Sequence, residues 1–436
     1  MPIDLKLTPR KDALLLGHDN MLEVLVRATC PAAPEMMRQR RRLNIAIVID
    51  RSGSMRGEPL NEAKRCAKAI VHQLAPDDFV SVIAYDSTVD VMCPAQPVSS
   101  IAAICAHIDE IQSGNMTAMF DGWAAGAEQA GIYTSQADIS RILLLSDGNA
   151  NRGLTDTDQI ADRCAQAAAA GISTSTYGLG GHFNEDLMFA MAQAGAGNAY
   201  YGRTARDLMR PFQQEFDLLK AIYALNPLLE LSAPQGVRIE MANDLALTPQ
   251  GWRLPDIAYE SEAWAIVRLH VSQTLVASGA LAPISLLTAR VTYTIDEDTT
   301  GSAHSNTLAL TSLPQAAYLA LAEDELVVRR SQEVRFAEFQ RHAGIAARRG
   351  EWHEVDRIMA LAREAARGNE WLLSSLESLE RIARGRDREH FSKEATSQSV
   401  RRMKRLTSAD EGISYSASTE DLRPSFLRRR DEEGQG

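Results

Sequence analysis

Three oxygen-bearing side chains in close succession, Asp50, Ser52 and Ser54, carry the strongest chemical signal in this sequence. They follow an apolar run, IAIVI at residues 45–49, in D-x-S-x-S spacing. Carboxylate and hydroxyl oxygens are hard ligands, suited to Mg²⁺ or Mn²⁺ and poor for soft metals. The run before them is short, β-branched and apolar on both faces, which reads as a central strand of a covered parallel sheet. Asp50 then sits at the strand's carboxyl end, where open α/β sheets place their ligands. Gly53 lets the loop turn tightly enough to aim Ser52 and Ser54 at one point.

Residues 43–55, LNIAIVIDRSGSM, resemble the metal-ion-dependent adhesion site of von Willebrand factor A (VWA) domains. Two further family ligands have matches here. The threonine matches Thr117 in SGNMTAMFDG, and the second aspartate matches Asp147 in RILLLSDGNAN, again at the end of an apolar run. One departure is Gly114-Asn115-Met116 before Thr117, where the family usually has paired glycines. The resemblance covers about residues 43–219. It implies that Ser52, Ser54 and Thr117 touch Mg²⁺ (or Mn²⁺) through their hydroxyls. Asp50 and Asp147 then act mainly through waters and hydrogen bonds to the serines. Few direct charges leave such an ion electrophilic, able to take a partner's carboxylate as its last ligand.

Composition bounds the alternatives. A chain of 436 residues holds about two or three domains. Hydrophobic content of 45% and charged content of 24% are those of a soluble globular protein. The net charge of -11 argues against a nucleic-acid partner. The basic cluster Arg38, Arg40, Arg41 and Arg42 reads as a solvated approach to the first VWA strand rather than a phosphate site. The five cysteines are scattered and include no C-x-x-C pair, which argues against a zinc or disulfide framework and suits a reducing cytoplasm. The start, MPIDLKLTPRKDALLL, lacks a signal peptide's apolar core. No run approaches the roughly 20 apolar residues of a membrane span. The expectation is a cytoplasmic protein with no membrane partner.

The elements that position the site follow in order. Residues 1–42 read as β, with LEVLVRAT the clearest strand, too few strands for a domain of their own. Residues 43–220 alternate strands and helices, as a doubly wound, mostly parallel Rossmann-like sheet requires. In that stretch Pro59 marks a helix start, FVSVIAY and VDVM form a hairpin around Asp86-Ser87-Thr88, and helices span about 99–112, 119–130, 158–170 and 184–194 before a last one ending at Leu219. From 221 to 312 the period changes to two, with LLELSA, VRIEMA, AWAIVRLHV and ARVTYTI as strands. This reads as a β-sandwich into which the VWA domain is inserted, residues 1–42 supplying its missing strands. A similar layout occurs in bacterial VWA proteins and in the heavy chains of inter-alpha-trypsin inhibitors. Residues 313–406 are helical, with Gly350, Gly368 and Gly385 at helix ends. Trp352, Val355, Met359 and Ala362, then Trp371, Leu372, Leu376 and Leu379, form apolar stripes that read as core. Residues 407–436 are polar and charged and read as a disordered tail.

Catalysis finds little support. The nine histidines include no H-E-x-x-H, and neither a G-x-x-x-x-G-K-[ST] nor a G-x-S-x-G is present. An aspartyl-phosphate hydrolase wants a second acid two residues after its nucleophile, and that position is Ser52. His72 reads as a surface residue, whereas His182, after a strand end, could line the metal face. The Gly178-Leu179-Gly180-Gly181 run reads as a plain turn. Two functions remain: a non-catalytic scaffold whose metal site captures an acidic side chain of a partner protein, and a metal-dependent phosphoester hydrolase using the same site. The lack of a general base favours the first. The bacterial relatives it resembles often work beside AAA+ ATPases or protein kinases and phosphatases, and the sequence does not choose among these as partners.

Overall fold

The computed structural model of the chain describes residues 3–31, 41–147, 150–179, 184–202, 216, 219–276, 282–295, 299–388, 391–392, 394–396, 399 and 407–408. Two compact units share the chain: residues 39–220, and residues 1–38 with 221–436. Three strands precede the first of these, β1 (Asp4–Pro9), β2 (Ala13–Leu15) and β3 (Asn20–Thr29).

The unit at 39–220 alternates β4 (Leu43–Asp50), α1 (Glu58–Val71), β5 (Phe79–Tyr85), β6 (Val89–Pro97), α2 (Ile101–Asp109), α3 (Met119–Gly131), β7 (Ile139–Ser146), α4 (Thr157–Ala169), β8 (Ile172–Leu179), α5 (Glu185–Ala194) and β9 (Ala196–Gly202). Its six strands lie in the order β6-β5-β4-β7-β8-β9, parallel except for β6. Counted from β4, the chain first builds one side of the sheet and then, with β7, the other. The switch point lies between β4 and β7, and ligands bind outside the carboxyl ends there.

Every residue of β4 and of β7 is buried, because both faces of the sheet are covered. Ala46 and Val48 pack with Met119 and Trp123 of α3. Ile45, Ile47 and Ile49 point to the opposite face by the alternation of a strand, where the apolar stripe of α1, Leu60, Ala63, Ala67 and Ile70, is buried. α3 lies so close to β5 that a Cβ at Gly122 would stand 2.4 Å from the ring of Tyr85. α2 is shorter than its sequence suggests: Ser100 caps its start, accepting the amide of Ala103, and the helix ends at Asp109 with Glu110 as its C-cap. Most of the helix read up to Leu219, residues 203–215, lies outside the described residues, as do Arg38 and Arg40.

Among the described residues the other unit contains two sheets. Its later strands are β10 (Ile222–Ser232), β11 (Val237–Met241), β12 (Leu247–Thr248), β13 (Gly251–Arg253), β14 (Ile257–Ala258), β15 (Ser261–Val271), β16 (Ile284–Thr294), β17 (Thr300–His304), β18 (Leu308–Leu313) and β19 (Thr407–Ser408). One sheet runs β1-β3-β15-β11 and the other β12-β13-β10-β16-β18-β2, with β14 on β10 and β17 on β16. β3 therefore finds its partner across the insertion, in antiparallel register from Asn20↔Val271 to Thr29↔Glu262. Val24, Val26, Ala265 and Val267 share one core with Leu229, Leu287 and Val291 of the second sheet.

The outer face of the first sheet is covered by α6 (Glu325–Arg349), with Leu25, Trp264 and Ile266 against Val327 and Val334. Under α6 the fully buried Arg330 pairs with Glu262 at 2.9 Å and Glu333 at 3.1 Å. α7 (Trp352–Ala365) and α8 (Glu370–Arg384) complete a helical core of Phe336, Val355, Met359, Leu372, Leu376 and Leu379. The side chain of Trp371 is outside the described set. Gly350 ends α6 in the left-handed conformation, at φ 77°. Gly385 does not: it stays helical at φ -73°, and Arg386 takes the left-handed turn at φ 45°.

The chain is structured slightly further than its composition indicates. Thr407 and Ser408, read as the start of a disordered tail, pair with Glu262 and Ser261 at the start of β15. A ladder of backbone bonds accepts most side chains, so polarity does not exclude it. Residues 409–436 lie outside the described residues. Among the described residues no helix is long and apolar enough to cross a membrane, and all five cysteines are free thiols.

Candidate metal centre

Asp50 is the last residue of β4 and is fully buried. Its Oδ1 accepts the amide of Ser52 at 2.8 Å, and its Oδ2 accepts the hydroxyl of Ser146, the last residue of β7, at 2.5 Å. Both carboxylate oxygens are thus engaged by the protein. The turn that follows, Gly53–Met55, is a single 3₁₀ turn anchored by the buried Met55. It sets the Ser52 and Ser54 hydroxyl oxygens 3.1 Å apart, with Ser52 buried and Ser54 exposed. The amide of Gly53 donates to the carbonyl of Asn115 at 2.8 Å, which ties this turn to the loop carrying Thr117. Thr117 is buried; its amide donates to Asn151 Oδ1 at 2.9 Å, and its carbonyl accepts the amides of Asn151 and Arg152 at 3.1 and 3.2 Å. Asp147, also buried, follows β7 directly. The five residues singled out by spacing and resemblance therefore lie on three loops at one end of the sheet, two of those loops flanking the switch point.

Electrostatics at this end favour a cation. Burial, joined by the neighbouring charge of Asp147, pushes the Asp50 carboxyl up to about 6 against the hydrogen bonds of Ser146 and Ser52. Tyr85, the register partner of Asp50 on β5, is fully buried. Its phenol is held well above its ordinary value by burial and by the charge of Asp50, and so stays neutral. Adjacent vertices of an octahedron with bonds of ~2.1 Å lie about 3.0 Å apart, which the 3.1 Å between Ser52 Oγ and Ser54 Oγ matches. The donors are all hard oxygens. Among the described residues no three His, Cys, Asp or Glu side chains converge as an alternative metal cluster. The residues present thus fit a small divalent ion.

Several participants carry no signal in the spacing. Ser146 stands one residue before Asp147, and Asn151 acts on Thr117 from across the site. Asp86, in what reads as a plain hairpin turn, accepts the Thr88 amide and hydroxyl at 3.0 Å each, Arg51 at 3.2 Å and the Asn115 amide at 3.2 Å. Burial acts to raise its carboxyl, but these bonds outweigh it and hold it at about 2. His72 is exposed just beyond α1. His182 and Gly180-Gly181, like Gly148 and Asn149, lie outside the described residues.

A doubly wound sheet with hydroxyl and carboxylate donors at its switch point defines a class of ion-binding α/β domain. Residues 44–214 match the sequence profile of the von Willebrand factor type A domain, and this part of the chain is such a domain. The chain is 27% identical over 323 residues to the uncharacterized protein sll0103 of Synechocystis sp., covering 69% of this chain and 74% of that one. It is 29% identical over 174 residues to the uncharacterized protein YfbK of Escherichia coli, covering 39% of this chain but only 30% of that one. A solved von Willebrand factor type A protein from Catenulispora acidiphila superposes with a TM-score of 0.69 at 16% identity, covering 92% of this chain and 97% of that one. Sandwich, inserted domain and helical region are thus shared as a fold.

Proposed function

We propose that this protein is a non-catalytic binding and scaffold protein that captures an acidic side chain of a protein partner through a divalent ion, Mg²⁺ or Mn²⁺, held by Ser52, Ser54 and Thr117 and braced by Asp50 and Asp147. The observation that carries the reading is the pair of serine hydroxyls 3.1 Å apart on a turn pinned to Asp50. Asp50 spends its two oxygens on Ser52 and Ser146, so it orients the turn rather than offering a free carboxylate. Ser52 and Ser54 contribute neutral oxygens, and Thr117 adds a third from the adjoining loop. An ion on such neutral donors keeps most of its charge and supplies a Lewis-acidic position for an incoming carboxylate. The exposed side chains of Ser54 and Met116 stand at the rim, where a partner would meet the protein.

Calorimetric titration of the full chain tests the first half of this reading. One Mg²⁺ site is expected in the wild type, weakened about 10–100-fold in Asp50→Ala, as for other residues that orient ligands. Equal affinities would remove the site. Panning a peptide library on the protein tests the second half. Asp- or Glu-bearing peptides are expected to be enriched in Mg²⁺ and lost in EDTA; enrichment indifferent to EDTA places the contact elsewhere.

A further inference from the structure

Arg51, the residue between Asp50 and Ser52, belongs to no ligand set, yet its backbone and its guanidinium are both engaged. Its amide donates to the carbonyl of Tyr85 at 2.9 Å, and its own carbonyl accepts the amide of Gly114 at 2.6 Å. Its guanidinium reaches Asp86 Oδ1 at 3.2 Å, Thr88 Oγ1 at 3.3 Å and the carboxylate of Asp90. Asp86 in turn brackets Thr117. Its Oδ2 takes the amide of Asn115, two residues before, and its carbonyl takes the amide of Ala118, one residue after, at 2.7 Å. Gly114 packs so tightly here that a Cβ would fall 1.8 Å from Asp86 Oδ2. Only glycine lets the carboxylate close on the loop.

We propose that Arg51 and Asp86 form a clamp that sets the separation between the Ser52–Ser54 turn and the Thr117 loop before any ion arrives, which makes Asp86 a positioning residue of the site. The proposal rests on the metal-binding reading for its purpose but not for its existence. A carboxylate is needed because one Asp86 oxygen serves Arg51 and the Thr88 turn while the other serves the Asn115 amide, and an amide side chain offers a single acceptor. A preset separation also discriminates by ionic size. Mg²⁺ wants oxygens at about 2.1 Å and Ca²⁺ at roughly 2.3–2.6 Å in looser geometry, so a clamped pair of loops favours the smaller ion.

The discriminating variant is Asp86→Asn in the full chain, which can keep the Thr88 bonds through Oδ1 while turning an N–H₂ toward Asn115. Amide hydrogen exchange is measured in EDTA, with the buried β7 amides as a control for an intact fold. The Gly53, Gly114 and Asn115 amides are expected to exchange at least ~10-fold faster in the variant, the scale of losing one charge-assisted hydrogen bond. Mg²⁺ affinity is expected to fall about 10-fold or more, and the preference for Mg²⁺ over Ca²⁺ to narrow, a change that general destabilisation does not produce. Unchanged exchange at these amides overturns the clamp. Faster exchange with unaltered Mg²⁺ affinity and selectivity overturns the positioning role. If the wild type binds no divalent ion, the proposed function falls, and the exchange measurement alone still decides whether the clamp exists.

Discussion

Asp50 and Ser146 meet side chain to side chain at 2.5 Å, one step beyond Ile49 and Leu145, the last residues in register between β4 and β7. The bond crosses the switch point of the sheet and is fully buried. It holds the carboxylate that orients the Ser52 turn. Replacing Ser146 by Ala leaves one oxygen of a buried carboxylate without its donor, a loss of about 1.5–3 kcal/mol for a hydrogen bond to a charged group. The expected outcome is Mg²⁺ binding weaker by roughly 10-fold in a protein that remains folded. Calorimetry with circular dichroism on the same samples checks both halves, and undiminished affinity would show that the brace does not matter.

The pH dependence has a definite sign. The folded Asp50 carboxyl sits at about 6, above its ordinary 3.8. In metal-free protein the folded state therefore holds this proton more tightly than the unfolded state. The contribution is full below about pH 4 and is lost as pH rises through about 6, a change on the order of 3 kcal/mol. Asp50→Asn removes the titration. In EDTA the variant is expected to be more stable than wild type at pH 7.5, with the advantage vanishing near pH 4. Urea midpoints across that range decide it; a wild type that is the more stable at pH 7.5 in EDTA contradicts the assignment.

What the sequence discloses and what it hides divide along a physical line. Asp50, Ser52 and Ser54 are legible because their spacing is local and their strand is a continuous apolar run. The parallel sheet is legible because burial on both faces removes alternation. Arg51 and Asp86 are hidden, since a charged residue in a loop or a D-S-T turn reads as solvated surface until the Thr117 loop is folded onto it. The partner of β3 is indicated only by a lack, too few strands before residue 43, and its ten-residue register with β15 emerges only in the folded sheet. Arg330 reads as an ordinary helix-surface charge, yet it is fully buried.

Packing at the back of the site makes a sharper demand than its chemistry. The ring of Tyr85 fills the space at Gly122, where a Cβ would lie 2.4 Å from Cγ and Cδ1. Gly122→Ala must push α3 off β5 or turn the ring, although alanine is the better helix former. Overpacking of this kind costs about 1–3 kcal/mol, outweighing the helix-propensity gain of roughly 1 kcal/mol. A lowered melting temperature is the expected result, and an unchanged or raised one would mean that α3 has room to move.

The buried ion cluster under α6 offers a test of the other unit. Arg330 and Glu262 have fully buried side chains 2.9 Å apart, and Arg330 also reaches Glu333. The guanidinium lies 4.7 Å from the centroid of Trp264, so charge and ring are buried together. Glu262 has a second partner in Arg27 at 2.6 Å, and Glu333 has one in Arg329 at 3.4 Å. Removing Arg330 therefore weakens two buried carboxylates without stripping either bare. The expected cost of Arg330→Met is at the lower end of the usual 3–5 kcal/mol, about 3 kcal/mol. Methionine keeps the apolar contact with Trp264, so the loss isolates the charge. Adding Glu333→Leu removes one of the two weakened carboxylates and supplies apolar volume under the helix. The double variant is expected to recover at least half of the loss, because a buried pair replaced by apolar groups of similar size is often neutral. Urea denaturation followed by tryptophan fluorescence gives the coupling from a double-mutant cycle. If the two losses simply add, Arg330 and Glu333 act independently, and the pairing of Arg330 with Glu262 carries the cost alone.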